Sequence, residues 1–490
     1  MLTLLIIIPI IGVLFILLLR ERWARVIGAI FTFIPLAISI YLYKFFEPTN
    51  TNYQFEVNYD WVKVIGISYH LGIDGISYPL LILTTLLTFL SVLFSWDIEK
   101  RRKEYFALLL IIEIGIIGVF ISLDFFLFYV FWEIVLIPMY FLIGIWGGPN
   151  KDYAAIKFFI YTHVGSIVML LGIMAIYFQT EPIIGYYTFD MVVIQQAVAP
   201  NISSYLQTIL FLVFLFGFAV KMPIFPLHTW LPDAHVEAPT AGSVLLAGLL
   251  LKMGGYGLIR IAVTMFPWAT VLFSSPLAII AVISIIYGAL VCLAQEDLKK
   301  MVAFSSISHM GFVLLGASSL TAIGISGAVF QMFNHGLVTA VLFMMCGVIH
   351  HKAGTRQLSM LGGIAPKMPV AAGIFVVGSL ASLGLPGLAN FVSEFMVYVG
   401  TYYKFSFWVI IPVLSAVLTA GYYLWAIERS FFGPFNPSLG KVEDLDKHEL
   451  IPLSILITLL VIIGVFPAII LHIIIPSSLN ISWLLEGFSI

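Results

Sequence analysis

Cysteine is scarce in this sequence: there are two, Cys292 and Cys346, both inside apolar runs. No Cys-x-x-Cys, His-Glu-x-x-His, Gly-x-Gly-x-x-Gly or Walker A pattern occurs. Iron–sulfur, structural-zinc and nucleotide sites are therefore not expected, and no cofactor or metal is assigned to this chain. Charge is equally scarce. Asp, Glu, Lys and Arg make up 10% of the 490 residues, with a net charge of -2, against about 25% in globular domains. That excludes a soluble enzyme, a disordered chain and a basic nucleic-acid binder.

What the sequence has is apolar length. It is 61% hydrophobic with a mean hydropathy of +1.09, and apolar runs of about 20 residues recur throughout, each long enough to cross a hydrocarbon core. Such runs are expected near 2–19, 24–46, 75–96, 104–122, 123–145, 153–178 and 206–229. They continue near 240–265, 270–293, 299–320, 322–349, 368–401, 406–428 and 452–476. The expected fold is an all-α polytopic membrane protein of 14 helices, a single integral domain over 1–490, because a barrel would alternate polar and apolar positions. The first run lacks a basic leader and a small-residue cleavage site, so it reads as a span.

Basic residues sort the loops. Seventeen of the 23, including Arg20, Arg101, Lys299, Arg356 and Lys447, fall in one alternating set, and three (Lys44, Lys63 and Lys404) in the other. The positive-inside rule then puts the basic loops in the cytoplasm and both termini outside. The polar 47–73 segment reads as an external hairpin or interfacial strand pair, and 430–450 as a cytoplasmic connector.

The remaining three basic residues, Lys221, Lys252 and Arg260, lie inside spans. Arg260 is nearer a helix end and reads as an anchor that snorkels to the surface. Lys221 and Lys252 share the membrane interior with Glu133 and Glu394, and each such charge costs about 2.5–3.5 kcal/mol unless it faces a partner or water. A buried ion pair that only locks helices is one reading, but such pairs stabilise weakly after desolvation. Four of them favour a pathway for charge. His228, His309 and His335 lie within or beside spans and can pass protons near neutrality, although a ring bonded to a serine would do no more than hold helices. His163 and His472 have too little context, and the role of Glu113 in the fourth span stays open.

Two interruptions accompany these charges. Pro223 and Pro226 follow Lys221 and break the seventh span, so Lys221 and His228, seven residues apart, share a face only in an unbroken helix. Gly384-Leu-Pro386-Gly387 breaks the twelfth span two turns before Glu394. Five spans apart, the breaks suit two inverted five-helix repeats, spans 4–8 and 9–13, with an ion path at the midplane. The first-repeat core, 123–265, carries Glu133, Lys221 and Lys252. The second, 270–428, carries His309, His335 and Glu394.

The stretches Phe131-Trp-Glu-Ile-Val-Leu-Ile-Pro-Met-Tyr140, Gly217-Phe-Ala-Val-Lys-Met-Pro-Ile-Phe-Pro-Leu-His-Thr-Trp-Leu-Pro-Asp-Ala-His235 and Ala238-Pro-Thr-Ala-Gly-Ser243 are distinctive. So are Leu249-Leu-Leu-Lys252, Ser305-Ser-Ile-Ser-His-Met-Gly311, Gln331-Met-Phe-Asn-His-Gly336 and Asn390-Phe-Val-Ser-Glu-Phe395. They resemble the antiporter-like membrane subunits of respiratory complex I, the proton-pumping NADH:quinone oxidoreductase, and its chain M (subunit 4) branch in particular. The resemblance implies 14 helices, two inverted repeats and a polar midplane axis. It implies an input pair at Glu133 and Lys221, a central relay at Lys252, contributions from His309 and His335, and a terminal site where glutamate, as in Glu394, marks the chain M branch. Asn334 has no role in that pattern. It further implies NADH, FMN, iron–sulfur clusters and quinone in partner subunits, neighbours of the chain L and N type, and a prokaryotic plasma (inner) membrane or equivalent energy-coupling membrane. Relatives in multisubunit sodium/proton antiporters and membrane-bound hydrogenases are the alternative. A solute carrier with a substrate vestibule at the broken helices, or a structural spacer, would use the same framework differently.

Overall fold

The computed structural model describes residues 1–488. Its first part comprises α1 (Leu2–Leu18), α2 (Ala24–Leu42), the strands β1 (Gln54–Val62) and β2 (Ile67–Ile73), α3 (Ser77–Phe94), α4 (Arg102–Ile121), α5 (Phe125–Trp146) and α6 (Lys151–Tyr177). There follow α7 (Ser204–Lys221), α8 (Trp230–Glu237), α9 (Thr240–Val263), α10 (Pro267–Leu293), α11 (Leu298–Ser318) and α12 (Ala322–Ala353). The last elements are α13 (Pro369–Ser382), α14 (Ala389–Phe405), α15 (Ile410–Phe431), α16 (Lys447–Val465) and α17 (Ala468–Glu486). Among the described residues, thirteen helical segments are long and apolar enough to cross a membrane, with α14 and α15 counted together, and the shorter α1 and α13 lie beside them.

Helix starts follow local chemistry. Asp124 accepts from the amides of Phe126 and Leu127 to open α5, Asp297 caps α11, and Asp446 with Glu449 forms a capping box for α16. These side chains satisfy amide groups that a helix end leaves bare. Both expected interruptions are present. The first lies between Lys221 and Trp230. The second lies between Ser382 and Ala389, where Gly384 and Gly387 take φ of +78° and +90°. Only glycine adopts such angles without strain.

One expected span is two helices. The run read as 452–476 stops at Phe466-Pro467, because proline cannot continue the ladder from the preceding turn, and α17 begins beyond it. Along α17, His472 meets Tyr43, Ser477 accepts from the Gly75 amide, and Ser482 bonds the Leu320 carbonyl. Those partners sit at the ends of α2 and α3 and in the turn between α11 and α12, so α17 lies across that end of the bundle instead of through it.

The hairpin occupies the same end. β1 and β2 pair antiparallel with Asn58 opposite His70. His70 reaches Asp190 at 2.8 Å and Glu56 at 3.3 Å. Burial opposes charge on this imidazole, yet the hydrogen bond and charge of Asp190, then those of Glu56, hold it above its ordinary value. The opposite end gathers the basic loops. There Arg356 pairs with Asp297 at 2.6 Å, Lys352 pairs with Asp446 and Glu449, and His448 contacts Asp97.

The core is α9, buried from Ala241 onward, with α11 and α12 nearly so. Where helices meet, small residues let backbones close up. A Cβ on Gly254 of α9 would lie 2.6 Å from the Met222 amide nitrogen, so this glycine sets how closely the end of α7 approaches α9.

Candidate functional site

The site is built from α9, α11, α12 and α14. Lys252 sits in α9 between two π-helical turns, Leu246–Leu250 and Leu258–Val263, a distortion that recurs at functional sites. Its ammonium donates to the Ala247 carbonyl and lies 2.6 Å from His335 Nδ1. The His335 ring is 5.4 Å from that of His309. His309 Nδ1 in turn lies 3.3 Å from Glu394 Oε1, and its Nε2 bonds Ser382 at 3.0 Å. Lys252, His335, His309 and Glu394 thus form one row, each 7% exposed or less.

Polar residues around the row fix its members. Ser382 donates to Tyr423, which donates to Ser305, so the serine stripe of α11 orients His309 through α13 and α15. Gln331 reaches Glu394 at 3.5 Å. Asn334, which had no assigned part, donates to the Ala389 carbonyl at 2.7 Å and to Ser393 at 3.1 Å, tying the start of α14 to α12. Gly384, in the break, places a would-be Cβ 2.9 Å from Glu394 Oε2. The break therefore leaves room for this carboxylate.

The expected input pair looks different. Lys221 is 2% exposed, and its ammonium lies 5.5 Å from the Trp132 ring centre and 6.0 Å from that of Phe158. Glu133 acts on it as a charge but makes no contact ion pair with it; instead Glu133 Oε2 meets His163 Nδ1 at 3.3 Å. Successive helix residues point about 100° apart, so with Trp132 turned inward onto Lys221, Glu133 points to the rim of the bundle. Lys221 is thus a cation on an aromatic face, and Glu133 rests on His163, a histidine with too little sequence context to stand out.

His228 is also displaced. The chain leaves helix after Lys221, so the two do not share a face; His228 Nε2 lies 3.3 Å from Tyr287 and its ring stacks on Phe225. Among the described residues, no hydrogen bond or ion pair links Lys221 or His228 to the Lys252 row. Arg260 does not snorkel: it pairs with Asp74 inside the bundle and is 8% exposed.

His235 was overlooked by sequence reasoning, although it closes the proline-rich motif. It is fully buried, stacked on Phe343 at 4.6 Å, and among the described residues neither ring nitrogen has a hydrogen-bond partner. The charges acting on it are Lys299, whose ammonium bonds the Ala238 carbonyl at the basic end, and Lys252. Only the fold brings it within the influence of both cations, so its spacing in the sequence carried no signal. Glu113 is likewise fully buried, and among the described residues neither of its oxygens has a hydrogen-bond partner. Among the described residues, Asp446, His448 and Glu449 come close enough to share a metal ion, but Lys352 and Asp97 already engage them.

Comparison with known families decides what carries this row. The profile described as NADH:quinone oxidoreductase/Mrp antiporter, TM, matches residues 122–419, and NADH-ubiquinone oxidoreductase chain 4, amino terminus, matches residues 1–120. The chain belongs to the chain 4 (subunit M) family of antiporter-like membrane subunits. F(420)H(2) dehydrogenase subunit M of Methanosarcina mazei is 41% identical, covering 96% of this chain and 95% of that one. NADH-quinone oxidoreductase subunit M of Rhodobacter capsulatus is also 41% identical, covering 94% and 90%. A chain of respiratory complex I from Thermus thermophilus superposes with a TM-score of 0.90 at 27% identity, over 99% of this chain and all of that one. A chain of the Mrp complex from Dietzia shares the fold, at 0.88 and 19% identity over 99% of both. The subunit M assignment expected from Glu394 therefore holds, and this is an antiporter-like membrane subunit of the complex I type.

Proposed function

We propose that this chain translocates protons along the membrane midplane, driven by electron transfer in partner subunits. The row Lys252–His335–His309–Glu394 carries the reading: four titratable side chains in succession, shielded from water. In so dry a setting, charge on one member is felt strongly by the next, and imidazoles hand protons between lysine and carboxylate. Lys221 loads Lys252 when Glu133 withdraws from it, and the Glu133–His163 contact is the withdrawn arrangement. Glu394 releases to the exterior. His228 is a secondary relay position beside Lys157, off the main line.

In this reading 14 helices cross the membrane as two inverted five-helix repeats, cored by 123–265 and 270–428. Both termini lie outside a prokaryotic plasma membrane. Chains of the L and N type flank this one, and NADH, FMN, iron–sulfur clusters and quinone belong to partners. A second electron donor has a specific observation in its favour: the Methanosarcina relative belongs to a dehydrogenase of F(420)H(2). Mass spectrometry of the purified native complex separates the two through its donor-binding subunit.

Lys252→Ala and Glu394→Gln in the assembled complex test the relay. Proton pumping by either is expected to fall on the order of a hundredfold, the scale of losing a positioned acid or base. Unchanged pumping in both variants would overturn the reading.

A further inference from the structure

Arg260 is a buried cation that the relay does not use. It lies in the second π-helical turn of α9, eight residues beyond Lys252, about 12 Å along the axis. Its guanidinium pairs with Asp74, donates to the Tyr53 hydroxyl at 3.2 Å, and lies 5.2 Å and 5.9 Å from the ring centres of Tyr53 and Tyr256. Among the described residues its Nε, though buried, has no hydrogen-bond partner. Tyr256 stands one turn from Lys252 on one side and one turn from Arg260 on the other.

Beyond Arg260 a space opens whose lining is part polar and part apolar. A cavity of about 590 Å³ at the hairpin end is lined by Glu56, Asp74, Gln195, Gln196, Asn480 and Arg260. A cavity of that size with these polar groups holds water. Water at the external face thus comes within about two turns of Lys252 along a single helix, through the first half of the molecule and away from Glu394. An arginine is never deprotonated, so it cannot relay a proton, and a fixed cation repels one.

We propose that Arg260 is an electrostatic plug: its permanent charge, clamped across the floor of the hairpin-side cavity by Asp74 and Tyr53, keeps external protons from running back to Lys252. This rests on the relay reading above. Asp74 is independently held by the amides of Ile76 and Ser77, each at 3.1 Å. The anion is therefore the clamp and the cation the barrier, which makes the two separable by substitution.

The test uses the whole complex in sealed vesicles without electron donor, reading passive proton influx after acidification on the hairpin side. Arg260→Gln is expected to raise that influx about tenfold or more, while Asp74→Asn, which keeps the permanent cation on Tyr53, stays at the wild-type level. Arg260→Gln leaves Asp74 buried without its cation, so the neutral pair Asp74→Asn/Arg260→Gln is included; it strands no charge and is expected to leak as much. Adding Lys252→Ala to either leaking variant should restore tightness. Tight vesicles with the neutral pair would overturn the proposal. So would an equal leak with Asp74→Asn, which would make the seal one of packing, or a leak that survives Lys252→Ala. A wild-type pumping ratio in Lys252→Ala alone would instead overturn the relay reading, so the two failures are distinct.

Discussion

The two halves of the molecule carry similar chemistry arranged in opposite ways. From Lys252, at the end of the first half, through His335, His309 and Glu394 of the second, the side chains stand in near-continuous contact, with Ser382, Tyr423, Gln331 and Asn334 packed behind them. In the first, Lys221 lies against Trp132 and Phe158 while Glu133 is held at the rim by His163. Connection suits conduction, and separation suits control. A relay that is always joined at both ends would leak, so a gap at the input is where coupling to a neighbouring subunit can act.

The contrast can be broken most severely at His309. His309→Ala removes the ring between His335 and Glu394, and proton pumping by the assembled complex is expected to drop on the order of a hundredfold. A smaller effect is expected at Gly254, where α7 closes on α9. Gly254→Ala must push the Met222 backbone away, and overpacking of this kind costs about 1–3 kcal/mol; a lower thermal midpoint of the complex is the readout. At the rim, His163→Ala frees Glu133 to turn toward Lys221. Because that contact is partly exposed, pumping should change by about threefold or less.

The least effect concerns the hairpin. Because the folded pKa of His70 is raised by Asp190 and Glu56, its contribution to stability is complete below the unfolded value of 6.5 and is lost as pH rises through the folded value. Amide protection in β1 and β2, measured relative to the intrinsic base-catalysed exchange rate, should fall across that window, and His70→Gln should abolish that fall.

Much of this was legible beforehand because membrane cost makes charge conspicuous. Lys221, Lys252, Glu133 and Glu394 stood out against apolar flanks, and proline and glycine marked both breaks. Directions of side chains were not legible. Hydropathy does not say that Trp132 turns inward where Glu133 turns outward, nor that a polar loop brings Asp74 down onto Arg260. His163 and His235 escaped for a related reason: a histidine's meaning depends on what faces it across helices, and sequence spacing reports only neighbours along one helix. The last span was misjudged because α17 is apolar enough to cross a membrane yet is anchored by Tyr43, Gly75 and Leu320 at one end of the bundle.

Infrared titration of the purified complex tests the central claim most directly, with the Glu394 carboxyl band assigned by its loss in Glu394→Gln. If Lys252, His335, His309 and Glu394 act as one coupled row, replacing Lys252 with alanine at the far end moves the pH at which that band titrates. An unmoved titration in Lys252→Ala would show that the row does not communicate, and would contradict the account.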